Sequence, residues 1–71
     1  MFTIIQVKDT NENIWYCNLG AFRCAEPIPD ATYCVVHFGE IGIRYPGTTK
    51  DFSDYLQSQL RTLMLAQQKP Y

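Results

Sequence analysis

The stretch Thr32-Tyr33-Cys34-Val35-Val36-His37-Phe38-Gly39-Glu40-Ile41-Gly42-Ile43-Arg44-Tyr45 decides the fold. Two runs rich in β-branched and aromatic residues flank Gly39-Glu40. A two-residue loop with Gly first suits a type II′ hairpin turn, whose left-handed first position only Gly adopts freely. That turn pairs Phe38 with Ile41, Val36 with Ile43 and Cys34 with Tyr45. Side chains alternate across a strand, so these six share one apolar face, while Tyr33, Val35, His37, Gly42 and Arg44 occupy the other. The pattern predicts strands over 32–38 and 41–45.

Working toward the N-terminus, Ala25-Glu26-Pro27-Ile28-Pro29-Asp30 reads as a loop, because two prolines remove ladder donors. Before it, Ile14 to Arg23 reads as a strand over 14–23, with Gly20 marking a bend or bulge. Asp9-Thr10-Asn11-Glu12-Asn13 reads as a turn, since Asn and Asp hydrogen-bond their own backbone and tolerate left-handed geometry. A first strand, over 2–8, precedes it.

Working toward the C-terminus, Thr48 and Asp51 have the spacing of a capping box, and Asp51 with Asp54 offers a second start. Phe52, Tyr55, Leu56, Leu60, Leu63 and Met64 then recur at helical steps, with Ser53, Asp54, Gln57, Ser58 and Arg61 opposite. The expectation is a helix over 51–68, about 27 Å long and sufficient to cross the sheet. The fold class is therefore α+β: a three- to four-stranded antiparallel meander packed on one face by a single C-terminal helix, in one domain over 1–71.

Composition narrows function mostly by exclusion. The chain has 71 residues, 46% of them hydrophobic, so it buries a thin single core. Net charge is −1, with Lys8, Arg23, Arg44, Lys50, Arg61 and Lys69 scattered singly, which disfavours direct nucleic-acid binding. No segment approaches a membrane span, and the apolar N-terminal stretch is too short for a signal peptide. Three cysteines make no closed disulfide framework. The expected compartment is the cytoplasm.

No catalytic or metal motif holds up. Cys34 and His37, three apart on a strand, point to opposite faces and cannot share an ion; Cys17 and Cys24 supply no Cys-x2-Cys pair. Gly47-Thr48-Thr49-Lys50 lacks the phosphate-loop pattern. The expectation is a non-enzymatic chain with no cofactor and no metal. Trp15 should sit on the core face with Cys17 and Leu19, leaving Tyr16 and Tyr33 directed outward, with Phe22 as a further candidate for that face. One helix covers one sheet face, so the other is available to a partner, framed by acidic turns. The candidate partner-binding residues are Tyr16, Tyr33, Glu26, Asp30 and Glu40.

In size and layout the chain resembles the small proteins that phages make against host machinery, anti-CRISPR proteins most of all. The resemblance rests on a strand opening at Phe2-Thr3-Ile4-Ile5, tight turns at Asp9–Asn13 and Gly39-Glu40, a terminal helix at Asp51–Gln68, and the lack of an enzyme motif. It implies a stoichiometric inhibitor that binds a CRISPR effector complex or nuclease in the host cytoplasm and blocks nucleic-acid binding or cleavage. Such inhibitors often act with acidic side chains, and a net charge of −1 departs from their strongly acidic members. The alternative is a homodimeric structural or adaptor module.

Overall fold

The computed structural model describes residues 3–67, with side chains described as far as Thr62. Phe2, Gln68 and the side chains of Leu63 and Met64, to which the sequence assigned roles, lie outside that description. Five strands form two antiparallel sheets, followed by one helix. A two-stranded ribbon consists of β1 (Ile4–Lys8) and β2 (Ile14–Asn18). A three-stranded sheet follows, in the order β3 (Phe22–Pro27), β4 (Tyr33–Phe38), β5 (Ile41–Pro46). The helix, α1, runs Thr49–Gln67. The class is α+β, with two sheets where one meander was expected.

The division arises at Gly20. Residues Leu19–Ala21 form a single 3-10 turn, with Asn18 Oδ1 accepting the Gly20 N–H at 3.0 Å. The chain turns a corner there, so the long second strand expected over 14–23 becomes β2 and β3. A second correction concerns 25–27, expected as loop. Ala25, Glu26 and Pro27 pair with Val36, Val35 and Cys34. Pro27 is tolerated because β3 is an edge strand and the proline stands at its end, where a missing N–H interrupts no ladder. A register shift between Phe22 and Cys24 marks a bulge.

The β4–β5 hairpin has the expected register throughout, Phe38 opposite Ile41, Val36 opposite Ile43 and Cys34 opposite Tyr45. Gly39 takes φ +60°, and Glu40 keeps a negative φ, the signature of a type II′ turn. The apolar face is buried as read: Cys34 and Val36 are fully buried, with Phe38 and Ile43 nearly so. Ile5, Val7 and Cys17 of the ribbon close over that same face, together with Phe52 of the helix. Hairpin and helix thus cover one side of the three-stranded sheet between them.

Thr48 starts α1. Its Oγ1 accepts the Asp51 N–H at 3.1 Å, and Asp51 Oδ2 accepts the Thr48 N–H at 2.9 Å, a reciprocal capping box. Phe52 is 1% exposed and packs against Phe22 and Tyr45, with centroids 5.8 and 5.1 Å away. Phe22 therefore points inward, where it stands opposite the buried Phe38, and the outward placement considered for it is corrected. Tyr55 is half-buried and its hydroxyl donates to the Gln6 carbonyl of β1, tying helix to ribbon. Beyond Leu56 the helix parts from the sheet: Leu60 is 36% exposed and Arg61 and Thr62 are exposed. Among the residues whose side chains are described, the helix is anchored by its first two turns, through Phe52, Tyr55 and Leu56.

This uneven anchoring has a measurable consequence. Phe52→Ala should cost about 3–5 kcal/mol, a large part of the roughly 4–10 kcal/mol that a domain of this size possesses. Leu60→Ala should cost under about 1 kcal/mol. Urea unfolding followed by circular dichroism checks the contrast, and equal losses would contradict it.

Candidate functional site

The outer faces of both sheets carry the exposed side chains that the core does not use. On the ribbon, Ile4, Gln6 and Lys8 of β1 alternate outward, as do Ile14, Tyr16 and Asn18 of β2. Tyr16 stands opposite Gln6, with Ile4 on one diagonal and Ile14 two residues back on the same face of its own strand. These three are 69%, 47% and 54% exposed.

The outer face of the three-stranded sheet is occupied by its own pairs. The Arg44 guanidinium lies over the Tyr33 ring, 5.4 Å from its centroid, so that the tyrosine is half-buried. His37 Nε2 donates to Glu26 Oε1 at 3.1 Å across the strands. Gly42 leaves room for this arrangement: a Cβ there would stand 3.2 Å from Val35 Cγ1 and 3.6 Å from the His37 ring. Cys24, opposite His37, is exposed, whereas Cys17 and Cys34 are buried and burial pushes both thiols up.

The five candidate residues do not form one patch. Tyr16 and Tyr33 belong to different sheets, each on a face turned away from the core. Asp30 lies between β3 and β4, and Glu40 between β4 and β5. Consecutive turns of an antiparallel sheet fall at opposite ends, so the six residues of β4 separate these two acids by roughly 20 Å. Glu26 sits between them, facing His37. An acidic rim framing one face is therefore not what the fold builds.

A more organised feature lies where the ribbon meets β5. Asp9 gathers the β1–β2 turn: Oδ1 accepts the N–H groups of Asn11 at 2.8 Å and Asn13 at 2.9 Å, and Oδ2 accepts Trp15 Nε1–H at 2.9 Å. The indole hydrogen bond foremost holds the Asp9 carboxyl below its ordinary range, with the backbone donors assisting. Glu12 completes the turn at φ +65°. Thr10 N–H donates to the Arg44 carbonyl at 2.9 Å and fixes the turn against β5. Between them opens a groove of roughly 220 Å³, lined by Asp9, Thr10, Asn11, Trp15, Gly42, Ile43 and Arg44.

Trp15 was expected in the core. Its register opposite Val7 does place it on the inward side, but the indole lies at the rim, 39% exposed, with its N–H on Asp9. Asp9 was read only as a turn residue. The signal that could have joined them was the register of the first hairpin: Lys8 pairs with Ile14, so Asp9 immediately follows the last pair and reaches back to Trp15.

Among the described residues, no three His, Cys, Asp or Glu side chains are grouped to hold a metal ion, and no helix is long and apolar enough to cross a membrane. Comparison of the chain with protein-family models, curated proteins and solved structures gave no match.

Asp9 and Asp51 both have lowered carboxyl pKa values, Asp9 through Trp15 and Asp51 through the Thr48 backbone N–H. A depressed folded-state pKa contributes stability that is present above the unfolded-state value and is lost as pH falls through the folded one. Thermal midpoints should therefore decline as acid passes below the ordinary value of 3.8. Asp9→Asn and Asp51→Asn should each lower the midpoint near neutrality and flatten this decline. An unchanged acid profile in both variants would contradict the assignment.

Proposed function

We propose that this chain is a non-enzymatic, stoichiometric protein-binding inhibitor of the anti-CRISPR kind, acting on a CRISPR effector complex or nuclease. The observation that carries the protein-binding reading is the exposed Ile4–Tyr16–Ile14 stripe on the ribbon's outer face. Water-exposed isoleucines beside a tyrosine form the sort of centre that protein interfaces bury, with Gln6, Lys8 and Asn18 as a polar margin. Of the five residues put forward from the sequence, Tyr16 gains most support, since Tyr33 is covered by Arg44 and the acids are dispersed.

Two further observations favour blocking a protein surface over binding nucleic acid directly. Lys8 and Lys50 are engaged by Glu12 and Asp54, Arg23 by the Gly39 carbonyl, and Arg44 by Tyr33. Cations held in separate local contacts make no continuous track for phosphates. The non-enzymatic reading is supported by His37, which is paired to Glu26 on the outer sheet face and is absent from the linings of both the Asp9–Trp15 groove and the pocket beside Tyr33 and Thr48. The phage and CRISPR part of the proposal rests on the layout of the chain alone.

Purified chain should bind a susceptible effector complex at one copy per site and suppress target cleavage. Tyr16→Ala and Ile14→Asp should each weaken binding about tenfold or more while leaving the circular dichroism spectrum unchanged. Glu26→Lys, Asp30→Lys and Glu40→Lys should act individually and weakly. Absence of inhibition across a panel of effector types would remove the CRISPR assignment. Concentration-dependent dimerisation lost with Ile14→Asp would support the homodimeric module instead.

A further inference from the structure

The edge of β5 beside the groove is open, and hairpin geometry shows which backbone groups it presents. In a two-residue hairpin the closing pair, Phe38 and Ile41, exchanges hydrogen bonds, and bonded pairs then recur at every second position. Ile43 and Tyr45 accordingly direct their N–H and C=O groups toward β4. Gly42 and Arg44 direct theirs away from it. The Arg44 carbonyl confirms this phase by accepting the Thr10 N–H at 2.9 Å. Gly42 N–H and C=O find no partner among the described residues, since β5 pairs only with β4.

The side-chain chemistry of the groove is anionic and aromatic. Arg44 is part of its wall, with its guanidinium engaged over the Tyr33 ring and its carbonyl bonded to Thr10 N–H. Asp9 is the acidic side chain at the groove, ionised at neutral pH and accepting the indole N–H. Oδ2 bears one indole donor and retains acceptor capacity for a second. The indole itself is fixed in orientation by the same bond and is 39% exposed. A fixed ring beside a carboxylate attracts a cation through the ring quadrupole and through direct charge.

Resting on the protein-binding reading above, we propose that this groove receives a basic side chain, Lys or Arg, from an extended segment of the partner. The cationic head meets Trp15 and Asp9, and the segment's main chain hydrogen-bonds Gly42 at the β5 edge. The ribbon stripe and the groove then form two contacts of one partner, the first apolar and the second ionic.

Trp15 is the only tryptophan in the chain, so its fluorescence reports the groove directly. The probe is the peptide acetyl-Val-Arg-Val-amide, titrated against the full chain, with acetyl-Val-Glu-Val-amide and acetyl-Val-norleucine-Val-amide alongside. The arginine peptide should change Trp15 emission and shift the amide resonances of Gly42 and of the Asp9–Trp15 turn, with weakening at raised salt. Trp15→Leu should abolish these shifts at Gly42, and Asp9→Asn should weaken them about fivefold. Because Asp9 also holds its turn, Trp15→Phe serves as a second variant: it frees the carboxylate, keeps a ring, and should retain binding of the arginine peptide. Equal response to all three peptides, preference for the glutamate peptide, or no shift at Gly42 would overturn the proposal. An effector bound equally well by wild type and Trp15→Leu would overturn the groove while leaving the protein-binding reading intact.

Discussion

The ring of Phe52 lies against Phe22 from one edge strand of the three-stranded sheet, Tyr45 from the other, and Tyr55 from its own helix. A chain of 71 residues has few side chains to spare for a core, and clustered rings supply much buried area per residue. Once Phe52 occupies this position, α1 is fixed by its first two turns. Tyr55 can then reach the Gln6 carbonyl, and the ribbon is held over the same sheet face as the helix. All the apolar cover goes to one side. The outer faces and the β5 edge remain for other purposes as a consequence of that concentration.

Much of this was legible locally. The β4–β5 register followed from one turn and strict alternation, and both survive in the fold because each is decided within a dozen residues. The start of the helix was likewise readable, Thr48 prevailing over Asp51 as the cap because its hydroxyl and the Asp51 carboxylate satisfy each other's backbone. What was not legible depended on long-range geometry. Gly20 marked a bend or bulge, but nothing in Leu19-Gly20-Ala21 announces that the bend carries the chain into a second sheet. Pro27 argues against a strand unless its place at an edge is known. Period 3.6 continues along the helix past Leu56, yet Leu60 is 36% exposed, because periodicity alone does not say how far the packing partner extends.

The same distinction separates the candidate sites. Tyr16 could be assigned outward from alternation alone. Whether Asp30 and Glu40 converge depends on which end of the sheet each turn occupies, and an antiparallel meander sends them apart. The Asp9–Trp15 contact joins residues that a sequence reading assigns to different environments, one to solvent and one to core. It emerges once the first hairpin's register is known, whereas the groove beside it needs the placement of the ribbon against β5 as well. The groove is thus a product of how two small sheets meet, with the Thr10–Arg44 hydrogen bond as the hinge post between them.

The account's central claim is that hairpin and helix share one face of the three-stranded sheet and leave the edge of β5 open at Gly42, beside the Thr10–Arg44 contact. Amide hydrogen exchange followed residue by residue tests it most directly. The account predicts strong protection at Val36 and Ile43, whose N–H groups lie within the covered ladder, and rapid exchange at Gly42, one residue away on the open edge. Slow exchange at Gly42 to the same degree as at Ile43 would mean that this edge is already sealed, and would contradict the architecture described.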